Sequence, residues 1–298
     1  MRIMTFSIVA RSSDGRAWGV AVASKFLAVG SAVPAAVAGI GAIATQADAN
    51  VAYKGQALAH MDDGATAEIA IAALLKDDEM RDRRQVGIVD AEGGSATHTG
   101  HKCFDWAGGV TDQDVAIQGN ILTGPEVVEA MKTSWDATHH EPDLSRRLLE
   151  ALQAGDRAGG DSRGRQSAAL FVVREGAGYG GLDDVAVDLR VDDHARPCEE
   201  LERLLDLNHL YLTASTHEEK VAVTPELQAE LEERARELGY PDFNAWVGSE
   251  NFEMRVGRGN KEQPRDDQHG DNEHGDNEHW VNHWVDVKIL EILRSRTQ

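Results

Sequence analysis

A chain of 298 residues, 41% of them hydrophobic, is long enough for one large domain, or for a domain of about 200 residues with an appendage. Its formal net charge of -21 excludes the basic face through which proteins grip a phosphate backbone, so no nucleic-acid partner is expected. The same charge disfavours an anionic membrane surface. No run approaches the roughly 18 apolar residues of a membrane helix, and Arg11, Ser12, Ser13 and Asp14 break the N-terminal apolar run too early for a signal peptide. Cys103 and Cys198 lie far apart, without ligand-like spacing. A cytoplasmic protein with no disulfide, metal or cofactor is therefore expected. The basic residues are mostly arginine, a pattern that resembles proteins of salt-accumulating halophiles; the plainer reading is an ordinary acidic cytosolic protein.

Residues 4–11 alternate as a strand, with Phe6, Ile8 and Ala10 on one face and Thr5, Ser7 and Val9 on the other. Asp14-Gly15, between this run and Ala17–Ser24, predicts a hairpin. The small-residue stretch 26–46 predicts two further strands, 29–33 and 39–45, punctuated by Pro34 and Gly39. Helical spacing over 50–60 and 65–76 predicts a helix pair, with Thr66 or Asp63 capping its second member. Alternation returns over 85–90 and Ser95–Thr99, and 104–110 and 115–118 also read as strands. Pro125 opens a helix to about Thr138, and Asp143 caps another over 143–154. A polar, glycine-rich loop at 158–165 leads into the apolar strand Ser167–Arg174. A further strand follows at Val185–Val191, then a helix at 198–212 whose apolar stripe is broken by Asn208, so that its end is expected to be partly buried.

Hairpin-connected strands alternating with helix pairs disfavour a doubly wound parallel sheet. Two antiparallel sheets with helix pairs outside satisfy the pattern, which predicts an α+β domain over residues 1–213. A polar linker is expected at 214–223, followed by a small helical module over 224–298. An acidic, histidine-rich insert at about 257–280 interrupts that module. There Asp271-Asn272-Glu273-His274-Gly275 nearly repeats at 276–279, a composition that cannot bury apolar surface and is expected to be disordered. On a helix His279 and His283 would share a face suited to zinc or nickel. The Asn, Asp, Glu and Gly residues around them favour a solvated tract with no specific metal site.

Thr5 is the candidate nucleophile. With a free α-amine it carries its own base: the hydroxyl attacks a carbonyl carbon, and the amine, of pKa about 8 in the free state, takes the proton directly or through water. Met1 to Met4 precede it, so this chemistry requires translation to begin at Met4, which is then removed, or a leader to be cut away. Otherwise Thr5 is a strand residue with an amide nitrogen. Ser24 and Lys25 end the second strand, and the hairpin brings that end to the start of the first. There Lys25 would hold the amine neutral and stabilise developing negative charge, unless it is merely an exposed strand-end lysine. Thr45 and Gln46 either line a pocket or turn into solvent. Asn120, following Gln118-Gly119, is either an oxyanion-hole donor or a turn residue, and Gln118 is a candidate substrate contact. Arg163 or Arg165 would clamp a substrate carboxylate and Asp161 would orient the Thr5 amine; the alternative is a loop held by its own Asp–Arg pairs. That loop lacks the Gly-Lys-Ser/Thr of a phosphate-binding loop. The carboxylates and imidazole of Asp192-Asp193-His194 could bind a metal, but on an extended chain they point in alternating directions and suit a structural or interface role, and Cys103 reads as a core residue.

Several strings carry a resemblance: residues 4–10, Gly19-Val20-Ala21-Val22-Ala23-Ser24, Ala44-Thr45-Gln46-Ala47, Arg84-Gln85-Val86-Gly87, Gln118-Gly119-Asn120, residues 158–169 and Leu189-Arg190-Val191-Asp192-Asp193-His194. Together they resemble the domain-of-unknown-function family 1028, assigned by fold to the N-terminal-nucleophile hydrolases. The resemblance implies a four-layer αββα sandwich and hydrolysis of a small amide or peptide. Residues 224–298 resemble a module, labelled peptidoglycan-binding, that is appended to some members. The expectation is an amidohydrolase with Thr5 as nucleophile, supported by Asn120, Ser24 or Lys25, and Asp161. The alternatives are a catalytically silent small-ligand-binding protein on the same fold and a scaffold whose tail recruits a partner. A homo-oligomer is compatible with all three.

Overall fold

The Asp14-Gly15 turn folds as its sequence predicts. Gly15 adopts φ +70°, a left-handed conformation natural to glycine, and Ser12 Oγ accepts the backbone N–H groups of Arg16 and Ala17 at 3.2 and 2.9 Å. The turn joins β1 (Thr5–Arg11) to β2 (Ala17–Ser24) in a register that pairs Thr5 with Ser24. The computed structural model describes residues 5–258 and 282–297. The histidine-rich insert, apart from its first two residues, and His279 lie outside the described residues.

The next segment departs from expectation. Residues 29–33 do not form a strand: Val29–Ala32 is a single helical turn, α1, before β3 (Pro34–Val37) and β4 (Gly41–Ala47). Close packing on the neighbouring strand explains it. A Cβ on Gly30 would lie 2.5 Å from Ala169 Cβ, and Val29 N–H donates to Ser167 Oγ at 3.1 Å. The small side chains that look β-compatible in sequence serve a helical turn pressed against a sheet.

The chain continues through α2 (Ala52–Asp62), α3 (Ala67–Lys76), β5 (Arg84–Asp90), β6 (Ser95–Thr99), β7 (Gly108–Asp112) and β8 (Val115–Gly119). The strand expected from residue 104 thus begins at Gly108. Then come α4 (Glu126–Ala137), α5 (Leu144–Arg157), β9 (Ser167–Arg174), β10 (Val185–Val191) and α6 (Pro197–Leu212). Caps expected from sequence are formed, with Thr66 accepting from Ile69 N–H and Asp143 from Ser145 N–H.

The strands make a six-stranded sheet, β10-β9-β2-β1-β8-β7, and a four-stranded sheet, β3-β4-β5-β6, with antiparallel pairing throughout. The architecture is mixed α+β, as expected. Alternation in β1 decides which residues go where. Phe6, Ile8 and Ala10 pack with Met131, Leu148 and Leu152 of α4 and α5. Val9, with Val20 and Val22 of β2, packs against Ala42, Ala44 and Val89 of the second sheet. On that sheet Ile43, Val86 and Ile88 pack with Tyr53, Ala57, Ala70 and Ile71 of α2 and α3. Each fully buried branched side chain stabilises the fold by about 1.5–3 kcal/mol relative to exposure.

The chain divides into two compact units, 1–205 and 206–298. The division falls inside α6, earlier than the expected linker at 214–223, and that stretch is not a linker. Residues Lys220–Ala222 form β11, and Ser215 is buried. Nor is the second unit purely helical. β11, β12 (Val256–Arg258) and β13 (Asn282–Asp286) make a sheet in the order β11-β13-β12, accompanied by α7 (Pro225–Glu237), α8 (Phe243–Ser249) and α9 (Val287–Arg296). Leu231, Phe243, Trp246, Phe252, Val285 and Ile289 form its core. Beside that core the buried Arg255 donates to Asp286 Oδ2 at 2.8 Å and to the Leu210 carbonyl at 2.8 Å. No helix among the described residues is long and apolar enough to cross a membrane.

Candidate active site

One end of the first unit gathers polar residues where apolar packing would be expected. The start of β1, the ends of β4 and β8 and the start of β5 contribute Thr5, Ser7, Gln46, Gln85, Gln118 and Asn120, all with relative exposure of 0–1%. Strand alternation brings these side chains into the space between the two sheets, beside Val9, Ala44 and Val89. Neutral carboxamides are tolerated in such a place only when paired, and here they pair with one another. Ser7 Oγ donates to Gln46 Oε1 at 2.7 Å and accepts from Gln118 Nε2 at 2.7 Å. Gln46 Nε2 and Asn120 Nδ2 both donate to Gln85 Oε1, at 2.8 and 2.9 Å. Gln85 Nε2 in turn donates to the Gly119 carbonyl at 2.7 Å and to Thr99 Oγ1 at 2.9 Å. Room for the network is left by Gly87, where a Cβ would lie 2.0 Å from Gln118 Oε1.

Thr5 sits at the edge of this network. Its backbone pairs with Asn120: the Asn120 N–H donates to the Thr5 carbonyl at 3.0 Å and the Thr5 N–H to the Asn120 carbonyl at 3.4 Å. The Thr5 carbonyl also receives Gln46 Nε2 at 3.3 Å and Asn120 Nδ2 at 3.5 Å. The Thr5 hydroxyl differs from its neighbours: Oγ1 is buried and has no hydrogen-bond partner. A lone buried hydroxyl is unfavourable, so the fold tolerates an unused polar group beside a set of fixed amide donors.

The residue directly after each of two network amides has left-handed backbone. Ala47, following Gln46, has φ +65°, and Ile121, following Asn120, has φ +52°. For a β-branched residue that is a strained conformation. Ile121 is held there on both sides, its N–H donating to the Phe104 carbonyl at 3.0 Å and its carbonyl accepting the Ser162 N–H at 2.9 Å.

The other expected site residues divide. Ser24 is buried opposite Thr5 in the strand register. Lys25 is exposed, and its Nζ donates to the Arg165 carbonyl at 3.3 Å. Thr45 and Gln46, expected together, face opposite ways, and Thr45 Oγ1 donates to the Asn50 carbonyl at 3.4 Å. Asp161 is buried; its carboxylate accepts the Lys25 N–H at 2.9 Å and Arg163 Nη2 at 2.6 Å. Arg165 Nε donates to Asp156 Oδ1 at 2.7 Å, an interaction that raises the guanidinium pKa further. The glycine-rich loop is thus held by Asp–Arg pairs, and Ser24, Phe6, Asp156, Asp161 and Arg165 line a small cleft at its base. Asp193 accepts from Gln166 Nε2 at 3.1 Å, a structural tie. Cys103 is half-buried, and burial pushes its thiol up to about 11. Among the described residues no group of three or more His, Cys, Asp and Glu is placed to hold a metal ion.

Two residues of the network were not singled out from sequence, Ser7 and Gln85. Both lie on the inward face of a strand among apolar neighbours, and that parity is the signal available: Gln85 shares its face with Gly87 and Val89, and Ser7 shares its face with Thr5 and Val9.

The model of a family described as "Family of unknown function (DUF1028)" matches residues 5–201. No curated protein sequence matches the chain. Among solved structures, the crystal structure of a DUF1028 protein from Silicibacter pomeroyi is 32% identical, with a TM-score of 0.62 over 69% of this chain and 89% of that one. An Anbu (Gly-1) mutant from Hyphomicrobium sp. strain MC1 aligns at 11% identity and a TM-score of 0.33 over 68% of this chain and 93% of that one. The family match runs from the first residue of β1 into α6 and takes in the whole amide network together with Thr5, so the chain belongs to the DUF1028 family.

Proposed function

We propose that this chain is an amide hydrolase of the N-terminal-nucleophile type, a four-layer αββα sandwich in which Thr5 is the nucleophile once its α-amine is free. The observation that carries the reading is the Thr5 hydroxyl, buried and without a hydrogen-bond partner beside amide donors that are themselves fixed. In the proposed step Oγ1 bonds to the carbonyl carbon of a small amide or peptide. The hydroxyl proton passes to the Thr5 amine, and the carbonyl π pair moves onto oxygen. Collapse of that oxyanion expels the leaving amine, which takes the proton, and leaves an ester on Thr5. Water then hydrolyses the ester with the same amine as base. Asn120 Nδ2 is the oxyanion donor in this scheme. One of its hydrogens is held by Gln85 at 2.9 Å, whereas the other reaches the Thr5 carbonyl only at 3.5 Å, long for a hydrogen bond and therefore cheap to redirect.

The test uses full-length protein released so that it begins at Thr5, alongside protein retaining Met4 and a Thr5→Val variant. Each is treated with an acylating electrophile and mapped by peptide mass spectrometry. The expected result is an adduct on Thr5 in the first protein only. Absence of any hydroxyl adduct in the Thr5-start protein refutes the reading. It would instead favour a non-catalytic ligand-binding protein, a role that the Asp–Arg-paired cleft beside Ser24 would serve.

A further inference from the structure

We infer that Gln85 is a positioning residue: it dictates which way the carboxamides of Gln46 and Asn120 face, so that both present NH2 groups to Thr5. Its catalytic meaning rests on the nucleophile reading of Thr5; the orientation itself does not.

A carboxamide has two ends of nearly equal size and opposite polarity. A buried one needs an external reference to fix its direction. For Gln85 that reference is backbone. Its Nε2 faces the carbonyl oxygens of Gly119 at 2.7 Å and Gly108 at 3.3 Å. Carbonyl oxygens only accept, so the nitrogen end must lie there; a flip would set oxygen against both. Oε1 of Gln85 is therefore turned toward Gln46 and Asn120, and because it too only accepts, both must offer nitrogen, at 2.8 and 2.9 Å. The remaining directions follow. With its nitrogen committed, Gln46 turns Oε1 to the Ser7 hydroxyl, and Ser7 accepts from Gln118. Two backbone carbonyls of β7 and β8 thus set the direction of Gln85; Gln85 passes it to Asn120 and, as the nearest of three acceptors facing Gln46 Nε2 (the Thr5 and Gln118 carbonyls stand at 3.3 and 3.4 Å), to Gln46.

The consequence falls on Asn120. Gln85 takes one of its N–H groups and leaves the other beside Thr5. Without Gln85, only the 3.5 Å contact to the Thr5 carbonyl opposes a turn of the Asn120 oxygen toward Thr5, which would exchange a donor for an acceptor that repels an oxyanion.

Two substitutions test this in the full chain beginning at Thr5. Gln85→Met keeps the length of the side chain and removes both polar ends. Gln85→Glu preserves the pattern only while protonated, because an ionised carboxylate has no hydrogen for the Gly119 carbonyl. The first readout is the side-chain NH2 resonances of Asn120 and Gln46 by nitrogen-15 NMR. In Gln85→Met both are expected to shift and to exchange with solvent at least about tenfold faster; unchanged resonances overturn the proposal. The second is the rate of Thr5 acylation. Gln85→Met is expected to lower it about a hundredfold, the scale of losing one oxyanion donor. The Gln85→Glu rate relative to wild type is expected to fall as pH rises and the carboxyl ionises, while the Gln85→Met ratio stays flat. A pH-independent Gln85→Glu ratio overturns the positioning role, as does a wild-type rate in Gln85→Met. If wild-type Thr5 does not react, the nucleophile reading fails and the resonances alone decide the orientation claim. If Gln85→Met does not fold, the Asn120 resonance of Gln85→Glu is followed through its ionisation, and a shift there supports the proposal whereas its absence overturns it.

Discussion

At the scale of single residues, the Thr5 hydroxyl and the Ser7 hydroxyl make a matched pair. Both are fully buried on the same face of β1, yet Ser7 bridges two glutamines while Thr5 Oγ1 touches no partner. Opposite outcomes are expected on removing them. Thr5→Val replaces an unsatisfied oxygen by a methyl of similar size, and we expect it to leave stability unchanged or raise it by about 1 kcal/mol. Ser7→Ala strands the carboxamides of Gln46 and Gln118, and we expect a loss of about 2–3 kcal/mol. Urea denaturation of both variants checks this. A Thr5→Val protein less stable than wild type by the Ser7→Ala amount would show that the Thr5 oxygen is held after all. A residue kept at a cost to stability is the pattern expected of a functional group. The sequence makes Thr5 and its neighbour Ser24 easy to find, because the Asp14-Gly15 hairpin fixes their register. Gln85 is harder. A glutamine at the start of an apolar strand reads as its solvated end, and only the position of the opposing sheet shows that its side chain is inside.

At the scale of elements, strand parity sorts candidates that sequence treats alike. Thr45 and Gln46 are adjacent, equally buried and equally polar. A one-residue step sends Gln46 between the sheets and Thr45 to the Asn50 carbonyl on the other face. The same parity explains Gly87, which lies on the inward face of β5, where a Cβ would meet Gln118 Oε1 at 2.0 Å. Gly87→Ala cannot be relieved by rotating an exposed tip, since Gln118 is fully buried and held by Ser7. We expect Gly87→Ala to destabilise the protein by about 2–3 kcal/mol, an overpacking cost plus a broken buried hydrogen bond. A cost no larger than a few tenths, measured by urea denaturation, would mean that the space between the sheets is looser than these distances imply. The β1–β2 and β5–β6 hairpins and both helix pairs are legible from periodicity together with their turn, proline and cap residues. The single helical turn α1 is not, because its cause is contact with β9, a strand more than a hundred residues further along the chain.

At the scale of the whole molecule, acidity has two opposing effects on stability. Lowering pH first relieves the mutual repulsion of a chain with a formal net charge of -21. It also discharges carboxylates on which the second unit depends. Glu219 is held at a pKa of about 2, chiefly by the Lys288 ammonium at 2.6 Å. Glu230 is also held at about 2, chiefly by Arg294, whose Nε and Nη2 each donate to it at 2.8 Å. Both values lie below the ordinary glutamate value of about 4.3, so the folded unit binds fewer protons than the unfolded chain. The stabilisation is therefore fully present above about pH 4.3 and lost as pH falls from there toward 2. In both pairs the cation is exposed and the glutamate half-buried, so solvent and salt screen the pair and keep each contribution small. A simple acid melt would mix this loss with the relief of repulsion. The difference between wild type and a variant separates them, because a variant carries nearly the same total charge. For Lys288→Met and Arg294→Met we expect a lowered Tm at pH 7, a deficit that shrinks below about pH 4.3 and vanishes near pH 2. The deficit should also diminish in 0.5 M salt, where the Debye length is only about 4–5 Å. A deficit of equal size at pH 7 and pH 2.5 would assign these contacts to the packing of the lysine and arginine stems rather than to their charge.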